Sequence, residues 1–226
     1  MNGFVLTKRN MKLFFRDKSS VFFSLLSVII IVGLYVLFLG DVITESLSEY
    51  GSSARFMMDS WIMAGLLAVT AVTTTLGALG TMVDDRAKRI VHDFSASPIR
   101  RSSLSGGYLL SAILIGIIMS LIALVLSEVY ILAYGGRLLP FEAVLKVVGI
   151  MVLSVISGAS MVFFLVSFFK SNNAFGIAST IIGTMIGFMT GIYVPIGNLP
   201  EAIQFIIKLF PVSHSAVLFR QTMMEV

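Results

Sequence analysis

Five stretches of this chain run for 18 or more residues without a charged side chain. A bilayer core about 30 Å thick needs about 20 residues of helix at 1.5 Å each, and such runs are its signature. Backbone amides left unpaired in hydrocarbon cost several kcal/mol, so the spans must be helical. A membrane β-barrel would instead show alternating segments of about ten residues, and none occur. Composition agrees: 57% of the 226 residues are hydrophobic and only 12% charged, with a mean hydropathy of +0.98. The expected fold is an all-α polytopic membrane protein, one transmembrane domain over 1–226.

The spans are expected at 21–40, 60–83, 107–134, 147–169 and 174–194. The first apolar run begins only at Val21 and is too long for a signal-peptide core, so no cleavable leader is expected. Absence of cysteine excludes disulfides and thiolate metal sites. The net charge of +4 is a matter of topology and not of nucleic-acid binding. Segments 1–20, 84–106 and 170–173 hold five, five and one Lys/Arg, whereas 41–59, 135–146 and 195–226 hold one, two and two. The positive-inside rule then places the N-terminus in the cytoplasm and the last residues outside.

In residues 1–20, Phe4, Met11, Phe14 and Phe15 recur at helical spacing while Lys8, Arg9, Lys12 and Arg16 fall elsewhere. This reads as an amphipathic helix in the cytoplasmic interface, or else as a basic tail that only orients the first span. Residues 195–226 carry an apolar piece too short to span. Pro200 near the start of a first short helix, Pro211 at its stop and Ser213 as cap of a second suggest a re-entrant hairpin. A surface helix in the outer interface is the alternative.

The basic island 84–106, DDRAKRIVHDFSASPIRRSSLSG, interrupts two long apolar runs. A two-turn helix from Arg86 to Phe94 would present Ile90 and Phe94 at i, i+4 before Ser95, Ser97 and Pro98 break it. An exposed Phe on such a loop either docks into a groove of a soluble subunit or rests on the protein's own helices or the lipid surface. Within the spans, Thr70, Thr74, Gly77 and Thr81 share one face. Ser179, Gly183, Gly187 and Gly191 lie four apart, and Ser20, Ser24 and Ser27 line the first span. Each stripe is read as close helix packing or as lining of a substrate path. Glu128, about 9 Å from the outer end of its span, is read as a hydrated or locally paired carboxylate or as an ion site. His92 and His214 fall on opposite sides, so no catalytic zinc pair is supported.

Three regions make the chain resemble the membrane permease subunit of type-2 ATP-binding-cassette transporters, mostly exporters. They are the basic amphipathic stretch ending in Arg16-Asp17, the island DDRAKRIVHDFSASPIRRSSLSGGYLL, and the segment GIYVPIGNLPEAIQFIIKLFPVSHSAVLFRQ. The resemblance implies an interface helix carrying Lys8, Arg9, Arg16 and Asp17, and an ATPase-coupling helix with Arg86, Arg89, Ile90, Phe94, Pro98 and Arg100. It also implies an outer gate at Tyr193, Pro195, Pro200, Pro211 and His214. The family usually has six spans, so a sixth after the hairpin is expected to be missing from the 226 residues, a natural five-span protein being the alternative. No G-x-x-x-x-G-K-[ST] occurs, so the chain is not expected to hold ATP. ATP and Mg are implied on a separate ATPase present in two copies. The other implied partners are a second permease copy or close paralogue and membrane lipids, with no nucleic acid. The implied setting is the plasma membrane of a bacterium or archaeon, and the implied cargo a drug, peptide, lipid or lipid-linked glycan. A gradient-driven transporter or channel using Glu128 is the rival.

Overall fold

A computed structural model describes residues 3–34, 52–91, 94, 99–134 and 136–224, with the side chains of 27, 34 and 52–56 left aside. Among the described residues the helices α1 Gly3–Arg16, α2 Lys18–Leu34, α3 Ser52–Ala87, α4 Arg101–Ala133, α5 Phe141–Ser167, α6 Asn172–Met189, α7 Glu201–Lys208 and α8 Pro211–Met224 follow one another. No strand occurs among the described residues. The chain is an all-α polytopic membrane protein. On their own α3, α4 and α5 are long and apolar enough to cross a membrane, and α7 with α8, bent by 90°, forms a fourth candidate. The expected first and fifth spans are α2, described as far as Leu34, and α6, which opens on two asparagines; neither reaches that mark alone.

α3, α4 and α5 begin before their expected spans, whereas α6 ends at Met189, short of 194. At 36 residues, α3 is about 54 Å long, well beyond a 30 Å core. Its apolar window is 89% buried against 44% and 39% for α4 and α5, because α2, α4, α5, α6 and α8 all pack against it. Two buried clusters follow one another along α3. One gathers Met63, Leu67, Met151 and Phe219, the other Leu79, Val83, Tyr108 and Phe14.

Lipid tails are as apolar as leucine, so close approach and not hydrophobic transfer must hold these helices together. Gly116 on α4 is a point of close approach in the α3–α4–α5 junction. A Cβ there would stand 2.7 Å from Val155 and 2.8 Å from Thr75, both on β-branched side chains with little room to turn. The hydroxyls of Thr70 and Thr74 are fully buried and bond back to the carbonyls of Leu66 and Thr70 at 2.8 and 2.7 Å. These two threonines therefore pack within the chain.

The basic segments meet at one end of the bundle. There Arg9 pairs with Asp85, and Asn172 donates to Asp84 at 2.8 Å. At the other end Trp61 meets Gly191 and Arg220, and Glu128 meets Leu139. These are called below the island end and the hairpin end.

Replacing Gly116 by alanine is expected to cost about 1–3 kcal/mol through overpacking, read as a fall in Tm in detergent. Gly149 on α5 has nothing within 4 Å of its would-be Cβ, so Gly149→Ala is expected to leave Tm unchanged or raise it.

Candidate functional site

At the island end the chain turns from α1 into α2 through Asp17. Its carboxylate accepts from the Ser19 amide at 3.0 Å and the Ser20 hydroxyl at 2.6 Å, capping α2. The Ser20 bond holds the Asp17 carboxyl below its ordinary pKa. The opposite face of α1 buries Leu6, Thr7, Asn10 and Phe14. This face enters a notch at the start of α4, where a Cβ on Gly107 would lie 2.8 Å from Leu6. There the Thr7 hydroxyl donates to the Gly107 carbonyl at 3.3 Å, and Asn10 donates to Ser111 at 3.3 Å.

Asp85 is the knot that ties these elements. Its side chain is 6% exposed and receives both guanidinium nitrogens of Arg9, at 2.6 and 2.9 Å. The Tyr108 hydroxyl donates to the same carboxylate at 2.6 Å. A bidentate charge-assisted pair with a third donor satisfies a carboxylate that burial would otherwise make costly. Asp85 in turn raises the Arg9 pKa above its already high value, so the guanidinium keeps its charge. Residues from α1, α3 and α4 meet in this one constellation.

The neighbouring charges have different work. Arg86 reaches the last turn of α5 and donates to the carbonyls of Val166, Ser167 and Phe169 at 3.2, 3.0 and 3.2 Å. It therefore occupies the negative end of that helix dipole. Asp84 accepts from Lys88 at 2.6 Å, which raises the lysine's pKa, and from Asn172 at the start of α6.

The expected helix from Arg86 to Phe94 needs correction. Arg86 and Ala87 still belong to α3, and the break comes at Lys88–Arg89, where Arg89 takes a left-handed φ of 60°. Ile90, Val91 and Phe94 are helical beyond it. Phe94 is also not the exposed handle expected. It is half-buried against the Leu6–Phe14–Tyr108 cluster, with the Arg9 guanidinium 5.5 Å from its ring centroid. Arg100, exposed, precedes α4, and its carbonyl accepts from Ser103 and Leu104. Pro98 and His92 lie outside the described residues, as does the side chain of Ser27. Lys8 and Arg16 are exposed on α1.

Beside this knot opens a groove between α2, α3 and α6. A hollow of about 500 Å³ holds Asp17, Thr81, Asp84 and Asn172, and one of about 330 Å³ holds Ser24, Thr73 and Ser179. Ser20, Gly77 and Phe175 belong to both, making the groove continuous. Gly77 and Thr81 thus sit on the groove, in contrast to Thr70 and Thr74. Along α6, Gly183 is open. Gly187 lies beneath the Tyr193 ring, and Gly191 falls beyond the helix at φ 68°. The expected four-residue stripe for a neighbouring helix is therefore split, with two of its glycines used by the chain's own turn.

At the hairpin end, Tyr193 stacks edge-on against Phe188 at 5.2 Å, Pro195 leads a 3₁₀ turn, and Pro200 precedes α7. Pro211 opens α8 and does not stop α7, which ends at Lys208. Ser213 accordingly lies inside α8, donating to the Ile207 and Phe210 carbonyls, and does not cap it. His214 Nε2 lies 2.8 Å from the Lys208 carbonyl.

Charge pattern did not reveal two contacts. The Arg9–Asp85 pair was hinted at only by an aspartate pair inside a basic region. Arg220, 6% exposed with Nε and one Nη unpartnered, stacks 3.8 Å from the Trp61 ring centroid. A lone arginine in an apolar hairpin and the lone tryptophan were its only signals. Glu128 accepts from the Leu139 amide at 3.2 Å, a local pairing that pins the α4–α5 connection. No group of three or more metal-ligating side chains exists among the described residues.

No curated protein matched the chain. The family model described as ABC-2 type transporter matches residues 2–224. That match takes in the interface helix, the island, the groove and the hairpin together, and the chain belongs to the ABC-2 type transporter family as a permease component of an ATP-binding-cassette transporter.

Proposed function

We propose that this permease is the membrane half of an ATP-driven exporter, working as a pair, with each copy gripping one separately encoded ATPase. ATP and Mg bind on the ATPase. The island end faces the cytoplasm and the hairpin end the outside, an orientation supported by the gathering of the basic segments at one end. The membrane is the plasma membrane of a bacterium or archaeon. The cargo is a hydrophobic or amphipathic molecule: a drug, peptide, lipid or lipid-linked glycan.

The observation that carries this reading is the Asp85 knot. An ATPase pushing on the island moves Arg89, Ile90 and Phe94, and the knot makes that push common to α1, α3 and α4. Arg86 extends it to α5. α3 runs from this knot to the Trp61–Arg220 contact, so a tilt of one rigid helix reaches the hairpin carrying Tyr193, Pro195, Pro200, Pro211 and His214. The groove along Ser20, Gly77 and Thr81 is the path, closed on its open side by a second copy against α6, where Gly183 leaves room for close approach.

Asp85→Asn keeps the shape but removes the charge that Arg9 grips. A buried pair broken on one side costs about 3–5 kcal/mol, less here because the Arg9 side chain is 30% exposed. In the complex with its ATPase in proteoliposomes, ATP hydrolysis is expected to persist while substrate flux falls about tenfold, a coupling of roughly 1.4 kcal/mol. Failure of an ATPase to co-purify, or full flux in the Asp85→Asn complex that retains its Tm, overturns the reading. The gradient-driven rival is tested by Glu128→Gln. The amide oxygen can still accept the Leu139 bond, so flux is expected to be unchanged, whereas an ion-coupling carboxylate would lose it.

A further inference from the structure

On the side of α1 next to its buried face, Phe4, Met11 and Phe15 form an apolar stripe, and Lys8 and Lys12 adjoin it one helical turn apart. Leu114 of α4 stands one turn beyond Ser111, the residue Asn10 touches. Together they enclose a groove of about 340 Å³ whose walls are almost wholly apolar, so the lysines contribute their aliphatic stems. Phe4 is 71% exposed, which for an aromatic side chain in a corner between an amphipathic helix and a spanning helix calls for lipid cover.

The cations of α1 divide in a way that points to the ligand. Arg9 is neutralised by Asp85, whereas neither Lys8 nor Lys12 has an ion pair among the described residues. An apolar slot with two uncompensated ammonium groups beside it is complementary to one kind of molecule, an acyl chain ending in an anionic headgroup. We propose that the α1–α4 corner is a binding site for an anionic phospholipid of the leaflet at the island end. One acyl chain lies along Phe4, Met11, Phe15 and Leu114, and the phosphate sits between Lys8 and Lys12. The occupied site braces α1 from the side opposite the Asp85 knot. The inference needs α1 at the membrane surface but neither an ATPase nor a substrate, so its failure and that of the exporter reading are separable.

Native mass spectrometry tests it on the whole protein in nanodiscs of equal phosphatidylglycerol and phosphatidylcholine. The wild type is expected to retain phosphatidylglycerol over phosphatidylcholine by about 25-fold, given roughly fivefold for each of the two lysines near an anionic group. Lys8→Gln with Lys12→Gln is expected to bring the two lipids close to parity. Arg100→Gln with Arg101→Gln removes the same charge at the same end and is expected to leave the preference intact. Leu114→Trp, which fills the slot and keeps both lysines, is expected to abolish lipid retention. Phosphatidylglycerol preference surviving in the lysine variant overturns the site. So does equal loss in the arginine variant, which would mean diffuse surface attraction, or retained lipid in Leu114→Trp.

Discussion

A carboxylate on a side chain only 6% exposed, near the end of the most enclosed helix, constrains everything around it. Asp85 is largely withheld from water, and an ionised carboxylate without compensation in such surroundings costs several kcal/mol. Arg9 and Tyr108 compensate it, and in doing so they decide where α1 lies and how α4 begins. The notch at Gly107 then becomes necessary: the guanidinium can reach Asp85 only if α1 comes against the first turns of α4, and a side chain at 107 would hold it off. Polar contact and close backbone approach are two aspects of one arrangement.

What could be read from the residue order follows from periodicity and charge. Long uncharged runs announced α3, α4 and α5, and the lysine and arginine distribution separated the two ends that the Arg9–Asp85 and Trp61–Arg220 contacts now define. Helix ends were less legible. The charged pair Asp84-Asp85 looked like the end of a span, yet α3 continues through both, because their partners on α1, on α6 and one turn on at Lys88 supply the compensation that water would give. Long-range pairing of this kind has no local signature. Proline at 211 was ambiguous for the same reason, since proline both ends and begins helices.

The threonines show how composition alone misleads about polarity. Thr70 and Thr74 look like a polar stripe, but their hydroxyls are spent on carbonyls four residues back, and the surface they present is the methyl. Ser20, Ser24 and Thr73 also bond back or cap, yet they stand at a groove, where their oxygens keep a free lone pair. Burial by neighbours, which no stripe records, separates the two cases.

The two ends of α3 are held by different physics. At the island end the grip is ionic and saturated, with each Asp85 oxygen engaged. At the hairpin end the grip is a guanidinium on an indole face, with two of its nitrogens unpartnered. A saturated bidentate pair has a single well-defined geometry. A cation over a ring tolerates sliding, because the attraction varies slowly across the face. Under the proposed coupling, a tilt of α3 imposed at the island would reach the hairpin at α7–α8 through this contact and the Met63–Leu67–Phe219 packing beside it.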